Sequence, residues 1–123
     1  MSGDNIVADS SLLTSFFNGA EVAKRFLEDR NIWISGISEM EVLCFPGLSK
    51  KDKMTIRSFF NDCKIMGLNR DIKEIAIEAR SGHKVKLPDA IIAATAIHLN
   101  FPLFTMDKDF NRIAELQSVI IDV

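Results

Sequence analysis

Apolar and polar positions along the chain alternate between a strand-like and a helix-like period. Residues 5–9, NIVAD, form a short β-branched run that ends on an acid and reads as a buried strand. Ser10 to Phe17 reads as a helix and Ala20 to Arg30 as a second, with Val22, Phe26 and Leu27 on one face. NIWISG (31–36) is strand-like, and SEMEVLCF (38–45) is a short helix broken by Pro46 and Gly47. Leu48 opens a longer helix that places Met54, Ile56, Phe59, Phe60 and Cys63 on one broad face. KIMGL (64–68) reads as a strand. RDIKEIAIEAR (70–80) is an amphipathic helix with Ile72, Ile75, Ala76 and Ala79 inward, stopped by Ser81 and Gly82. Residues 88–99 predict a buried helix in which small Ala90, Ala93 and Ala94 let it lie close to the sheet. PLFT (102–105) is a strand, DFNRIAEL (109–116) a helix and SVIID (118–122) a final strand.

Strands alternating with helices predict an α/β fold with a parallel sheet and helices on both of its faces. Ligands of such sheets bind outside the carboxyl ends of the strands. The chain has 123 residues, which suits one domain over 1–123 with one core. Composition agrees, with 47% hydrophobic and 26% charged residues. A net charge of −2 provides no global basic field for a nucleic acid, so a polyanion has to be held locally or through metal ions. No apolar stretch reaches the ~18–20 residues that span a bilayer. The opening MSGDNIVAD lacks the basic region and apolar core of a signal peptide, which predicts a cytoplasmic protein. Cys44 and Cys63 fit that as two reduced, buried thiols, and neither they nor His83 and His98 show metal-ligand spacing.

The acids at the strand-to-helix junctions carry the chemistry. Asp9 ends the first strand, Glu39 and Glu41 follow IWISG, Asp89 opens the buried helix, and Asp107 and Asp109 follow PLFT. With 17 acids in the chain, each also has a plain structural explanation. Asp9 or a following serine caps a helix, Ser38 and Glu41 make a capping box, Asp89 after Pro88 favours the helix dipole, and Asp107 caps the next helix. Caps need not converge, whereas ligands must. Carboxylates brought close together repel and resist ionisation, and a divalent cation removes that cost. Hard oxygen ligands without His or Cys point to Mg²⁺ or Mn²⁺ rather than zinc.

Three segments are similar to a known family. VADSSLL (7–13) matches its first strand and Asp-Thr/Ser-Asn/Ser turn, and ISGISEMEVL (34–43) its Ile-Ser-x-Ile-Thr-x-x-Glu-Leu segment. LPDAIIAATAIHLNFPLFTMDKDF (87–110) matches Asp-x-x-Ile-Ala-Ala-Thr-Ala followed by Leu-x-Thr-x-Asp-x-Asp-Phe. The sequence thus resembles the PIN-domain ribonucleases, and within them the small VapC-type toxins of bacterial and archaeal toxin–antitoxin pairs. The likeness spans nearly the whole chain, and its last segment is the most specific. Two departures are Glu39, where the family usually carries an apolar residue, and the Lys86-Leu87-Pro88 lead-in to Asp89.

The resemblance implies a PIN-like three-layer α/β/α sandwich around a mostly parallel sheet of about five strands. It places the family's acidic quartet on Asp9, Glu41, Asp89 and Asp107, as catalytic residues and as ligands of Mg²⁺ or Mn²⁺. Asp9, Asp89 and Asp107 would be the direct ligands, with Glu41 acting through water or orienting the attacking one. Glu39 and Glu41 lie about 200° apart on a helix, so only one faces the site. Asp109 is an accessory acid or a cap, and Thr105 matches a position that often hydrogen-bonds a ligating acid. The reaction implied is hydrolysis of an RNA phosphodiester, and the partners implied are a VapB-like antitoxin and a second copy of the chain. Lys50, Lys51, Lys53, Arg57, Lys84 and Lys86 are candidate phosphate contacts, set against plain solvated surface. Phe16, Phe17, Phe59 and Phe60 line an antitoxin groove or dimer contact, or else pack in the core.

Two rival readings come from other classes. A receiver domain needs an acidic pair near the first strand and a late lysine after a strand, but Asp4 is poorly placed and no such lysine occurs. A PIN-like module kept for binding RNA or protein, without turnover, would tolerate Asp89→Asn.

Overall fold

The computed structural model describes residues 4–122. Five strands form one sheet: β1 (Asn5–Ala8), β2 (Asn31–Ser35), β3 (Lys64–Met66), β4 (Leu103–Thr105) and β5 (Ser118–Ile120), in the order β3-β2-β1-β4-β5. Every pairing is parallel, with Val7 beside both Trp33 and Leu103. The helices are α1 (Ser10–Phe17), α2 (Glu21–Leu27), α3 (Gly36–Leu43), α4 (Lys50–Asn61), α5 (Arg70–Gly82) and α6 (Leu87–Leu99), with a 3-10 helix over Lys108–Arg112. None of them is long and apolar enough to cross a membrane, among the described residues.

The period-2 alternation of the strands sorts the core into two layers. Ile6, Ala8, Ile34 and Phe104 face one side and pack with Leu12 and Leu13 of α1, Ala23 and Leu27 of α2, and Ile56 and Phe60 of α4. Val7 and Leu103 face the other side, against Ile92, Ala93 and Ala96 of α6 and Phe110 and Ile113. The result is the three-layer α/β/α arrangement around five strands. Because β2 and β4 flank β1, the order reverses at the β1–β4 boundary, where the carboxyl ends of open α/β sheets offer a crevice.

Several expected elements shift. Ala93 does approach the sheet, but Ala90 and Ala94 pack on Ile72 and Ala76 of α5. An all-round apolar helix is the one that is covered on two sides. Met54 is 71% exposed, since it lies about 200° around α4 from Ile56, the side chain that is buried. The helix expected over 109–116 is a single 3-10 segment followed by turns. Its buried side chains Phe110, Ile113 and Leu116 recur every third residue, the period of a 3-10 turn. The third strand stops at Met66 rather than 68. Cys44 is exposed rather than buried, while Cys63 is half-buried and its thiol is pushed up to about 11 by burial and by Asp62. Asn100 ends α6 in the left-handed region at φ 58°, a conformation asparagine tolerates better than most side chains.

Candidate active site

The β1–β4 boundary brings the first and last of the four predicted acids together. Asp9 follows β1 directly and is buried, with 3% of its surface exposed. Its Oδ1 accepts from the Leu12 N–H at 3.0 Å, so it does cap α1 as the plain explanation holds. The same carboxylate also accepts from the Ser11 hydroxyl, 2.8 Å from Oδ1, and from the Thr105 hydroxyl at the end of β4. Each hydroxyl is in turn fixed by backbone. The Met106 N–H donates to Ser11 Oγ at 3.2 Å, and the Asp107 N–H donates to Thr105 Oγ1 at 3.0 Å. A chain of hydrogen bonds therefore runs from Asp9 across the sheet to the backbone of Asp107. Thr105 takes the role expected for it, while Ser11 was considered only as a cap.

Asp107 starts the 3-10 helix and its Oδ1 accepts from the Asp109 N–H at 2.9 Å. Asp89 sits in the first turn of α6, just after Pro88, and is half-buried. Asp89 and Asp107 line one cavity of about 180 Å³ with Lys84, Lys86, Asp109 and Arg112. A larger hollow of about 600 Å³ opens elsewhere, beside α5 around Ile75 and Ile97, and holds none of the four acids.

Glu41 reaches this group from α3. The expected capping box at Ser38 does not form. Ser35 caps α3 instead, accepting from the Ile37 N–H at 3.3 Å, so the helix starts at Gly36. Ser38 is thereby left in the helix interior, fully buried, and its hydroxyl has no hydrogen-bond partner among the described residues. Glu41 is released from capping and stays exposed. Glu39 diverges from it, lining an apolar cup with Met40, Met66, Leu68 and Ile91.

The electrostatics tie the acids together. Burial pushes the Asp9 carboxyl above the ordinary carboxylate value. The bonds from Thr105, Leu12 and Ser11 pull it back down, and Asp107 adds a small upward push. Asp89 is raised by burial, then by the charges of Asp107 and Glu41; Lys86 lowers it and Asp109 raises it further. Asp89 thus feels the other junction acids, and Asp107 links it to Asp9. No three His, Cys, Asp or Glu side chains stand close enough to form a ready-made cage for a metal ion, among the described residues. The acids share an edge and a field without closing on a point.

The other candidates separate clearly. Lys84 and Lys86 rim the acid cavity, whereas Lys50, Lys51, Lys53 and Arg57 lie exposed on α4, outside it. Phe16, Phe17, Phe59 and Phe60 pack on one another at ring centroid distances of 4.9–6.2 Å, joining α1 to α4. Arg112 beside the acids was missed. It lies three residues after Asp109, and in sequence it looks like any surface cation at the end of a helix.

Comparison with known proteins agrees with this geometry. The PIN-domain profile matches residues 6–116. No curated protein sequence matches the chain. Among solved structures, a toxin–antitoxin complex from Klebsiella pneumoniae contains a chain 32% identical, with TM-score 0.82, covering 93% of this chain and 95% of that one. VapBC2 from Rickettsia felis, bound to a DNA fragment from its promoter, is 23% identical with TM-score 0.80, covering 96% and 99%. VapC20 of Mycobacterium tuberculosis, a toxin that cleaves the sarcin–ricin loop, is 16% identical with TM-score 0.72, covering 86% and 92%. The latter two likenesses concern the fold. The 32% identical chain stands in a toxin–antitoxin complex, and by its profile match this chain belongs to the PIN-domain family.

Proposed function

We propose that the chain is a metal-dependent endoribonuclease that hydrolyses RNA phosphodiester bonds, working as the toxin of a toxin–antitoxin pair. One PIN-like domain over residues 1–123 would act as a homodimer held in check by a VapB-like antitoxin. The observation that carries the reading is that Asp89 shares one cavity with Asp107 and Asp109, its carboxyl raised first by burial and then by Asp107, Glu41 and Asp109, acids from other junctions of the sheet. Like charges gathered this way are costly unless a cation joins them.

The residues fit Mg²⁺ or Mn²⁺. All four are hard oxygen donors, and Asp89 and Asp9 both have carboxyls whose ionisation a nearby cation would ease. An open arrangement suits Mg²⁺, which usually keeps several waters and takes only one or two protein carboxylates. Asp9, Asp89 and Asp107 would hold the ion. When bound, it supplies Lewis acidity toward water and the phosphate oxygens. Asp9 brings a carboxylate already oriented by Thr105 and Ser11, so little rotamer freedom is lost on binding. Glu41, exposed at the rim, would orient the attacking water and accept its proton. Lys86, close enough to lower the Asp89 carboxyl, would meet a phosphate of the RNA.

The test is cleavage of a mixed-sequence RNA by purified protein with Mn²⁺, beside EDTA and the Asp89→Asn variant. Cleavage lost in both controls supports the reading. RNA binding that persists in Asp89→Asn, with no cleavage by the unaltered protein, would point to a binding module instead.

A further inference from the structure

The strap that delivers Asp89 is anchored by Val85, which packs on the core, and is otherwise held by side chains from outside it. Residues 83–86 are neither helix nor strand, and Lys86, the N-cap of α6, makes no side-chain capping bond. The first turn of α6 takes its position from Ala90, buried against Ile72 and Ala76 of α5, and from whatever holds the strap. Three side chains do so. Arg80 of α5 donates to the Val85 carbonyl at 3.3 Å, Arg112 donates through Nη1 to the Lys84 carbonyl at 3.3 Å, and Glu115 pairs with His83 at 3.6 Å. Two of the three come from the segment that follows Asp107. Arg112 also turns its Nη2 toward Asp109 Oδ1 at 3.7 Å, while the Asp109 N–H holds Asp107. One guanidinium thus donates to the lead-in to Asp89 and forms an exposed ion pair with the turn that carries Asp107.

We propose that Arg112 is a positioning residue that sets Asp89 and Asp107 at the separation needed to share a divalent cation. The proposal rests on the metal-dependent reading above. The planar guanidinium suits the task because its five N–H donors form a rigid fork that can serve a carbonyl and a carboxylate at once. A lysine ammonium, a compact charge on a flexible stem, cannot hold both in one geometry.

The rival explanation is that Arg112 is only a positive charge at the rim, and the two explanations predict opposite signs. Removing a mere rim charge takes away a competitor of the metal and tightens Mn²⁺ binding. Removing a clamp lets the acids drift apart and weakens it. Mn²⁺ affinity is measured by calorimetry without RNA on the unaltered protein, Arg112→Ala and Arg112→Lys, with thermal unfolding in EDTA to confirm that each is folded. The clamp predicts that both variants weaken Mn²⁺ binding by roughly tenfold or more, the usual cost of losing a group that orients a ligand. Arg112→Lys keeps the charge, so restored affinity in that variant overturns the proposal, as does unchanged or tighter binding by Arg112→Ala. If the unaltered protein binds no Mn²⁺ and cleaves no RNA, the nuclease reading falls and takes the clamp with it. If it does both and the variants match it, the clamp alone is wrong.

Discussion

Asp9 and Asp89 sit at the same edge of the sheet and are held in contrasting ways. Asp9 is buried and wrapped by a backbone N–H and two hydroxyls, each donor itself fixed within α1 or at the end of β4. Asp89 is half-exposed, on a first turn steadied from a distance through the strap and Arg112. Both carboxyls are pushed up, Asp9 mainly by burial and Asp89 by burial and by its acidic neighbours. Local hydrogen bonding can fix one acid rigidly. The second has to be placed against it by tertiary contacts, and it bears the repulsion.

The largest expected effect treats the two alike. Asp9→Ala and Asp89→Asn each lower Mn²⁺-dependent RNA cleavage by more than roughly 100-fold, above what groups behind a ligand cost. Initial rates on a labelled RNA measure it, and a variant that keeps most of its rate removes that acid from the site. Next comes Thr105→Val, nearly the same shape without the hydroxyl. It deprives Asp9 of a buried donor and lowers cleavage by roughly 10–100-fold. The matching Ser11→Ala change should cost less, since Ser11 is only part-buried. Equal losses would mean that burial does not rank these donors.

Stability then separates the two acids by sign. Asp9→Ala leaves the Leu12 N–H and the Thr105 hydroxyl without their acceptor and removes a helix cap, a loss of about 1–3 kcal/mol in chemical denaturation. Asp89→Asn should do the reverse in EDTA. A carboxyl raised in the folded state favours folding below its ordinary value, and that contribution is lost as pH rises through the raised one. At neutral pH ionised Asp89 therefore opposes folding, and Asn lifts the thermal midpoint. The gain should shrink as pH falls through the carboxylate range, and vanish or reverse once Mn²⁺ is added. A lower midpoint for Asp89→Asn in EDTA at neutral pH contradicts the repulsion. The smallest effect belongs to Glu39→Gln, which should alter cleavage less than about twofold, since Glu39 faces the apolar cup.

Much of this arrangement was legible in the sequence. The β-branched NIVA run, the acid after it and the Pro-Asp start of an apolar helix place Asp9 and Asp89 without coordinates, because strand period and helix-start chemistry are local signals. Glu41 was legible as one of two junction acids, and only the resemblance chose it over Glu39; by itself Ser38-x-x-Glu41 suggested a capping box. The structure caps α3 one turn earlier with Ser35, since β2 leads straight into the helix and the first side chain able to accept wins. Met54 looked inward because apolar residues are dense on α4, but no helix face is wide enough to hold both it and Ile56. Arg112 escaped notice for a different reason. Its partner is the carbonyl of Lys84, 28 residues earlier, and backbone acceptors leave no mark in a sequence.

The central place of β1 also governs how the protein folds. Asp9 and Thr105 bond across 96 residues of chain, and β1 can meet β4 only after that whole loop has closed. Parallel pairings this remote are slow, because the entropy of closure is spent before any contact rewards it. A chain that has paired only β1, β2 and β3 has a hydrophobic layer but no site, with Asp9 on one piece and Asp89 and Asp107 on another. On the nuclease reading proposed above, any state of the chain that lacks the β1–β4 pairing would lack the assembled acids and would be inert toward RNA.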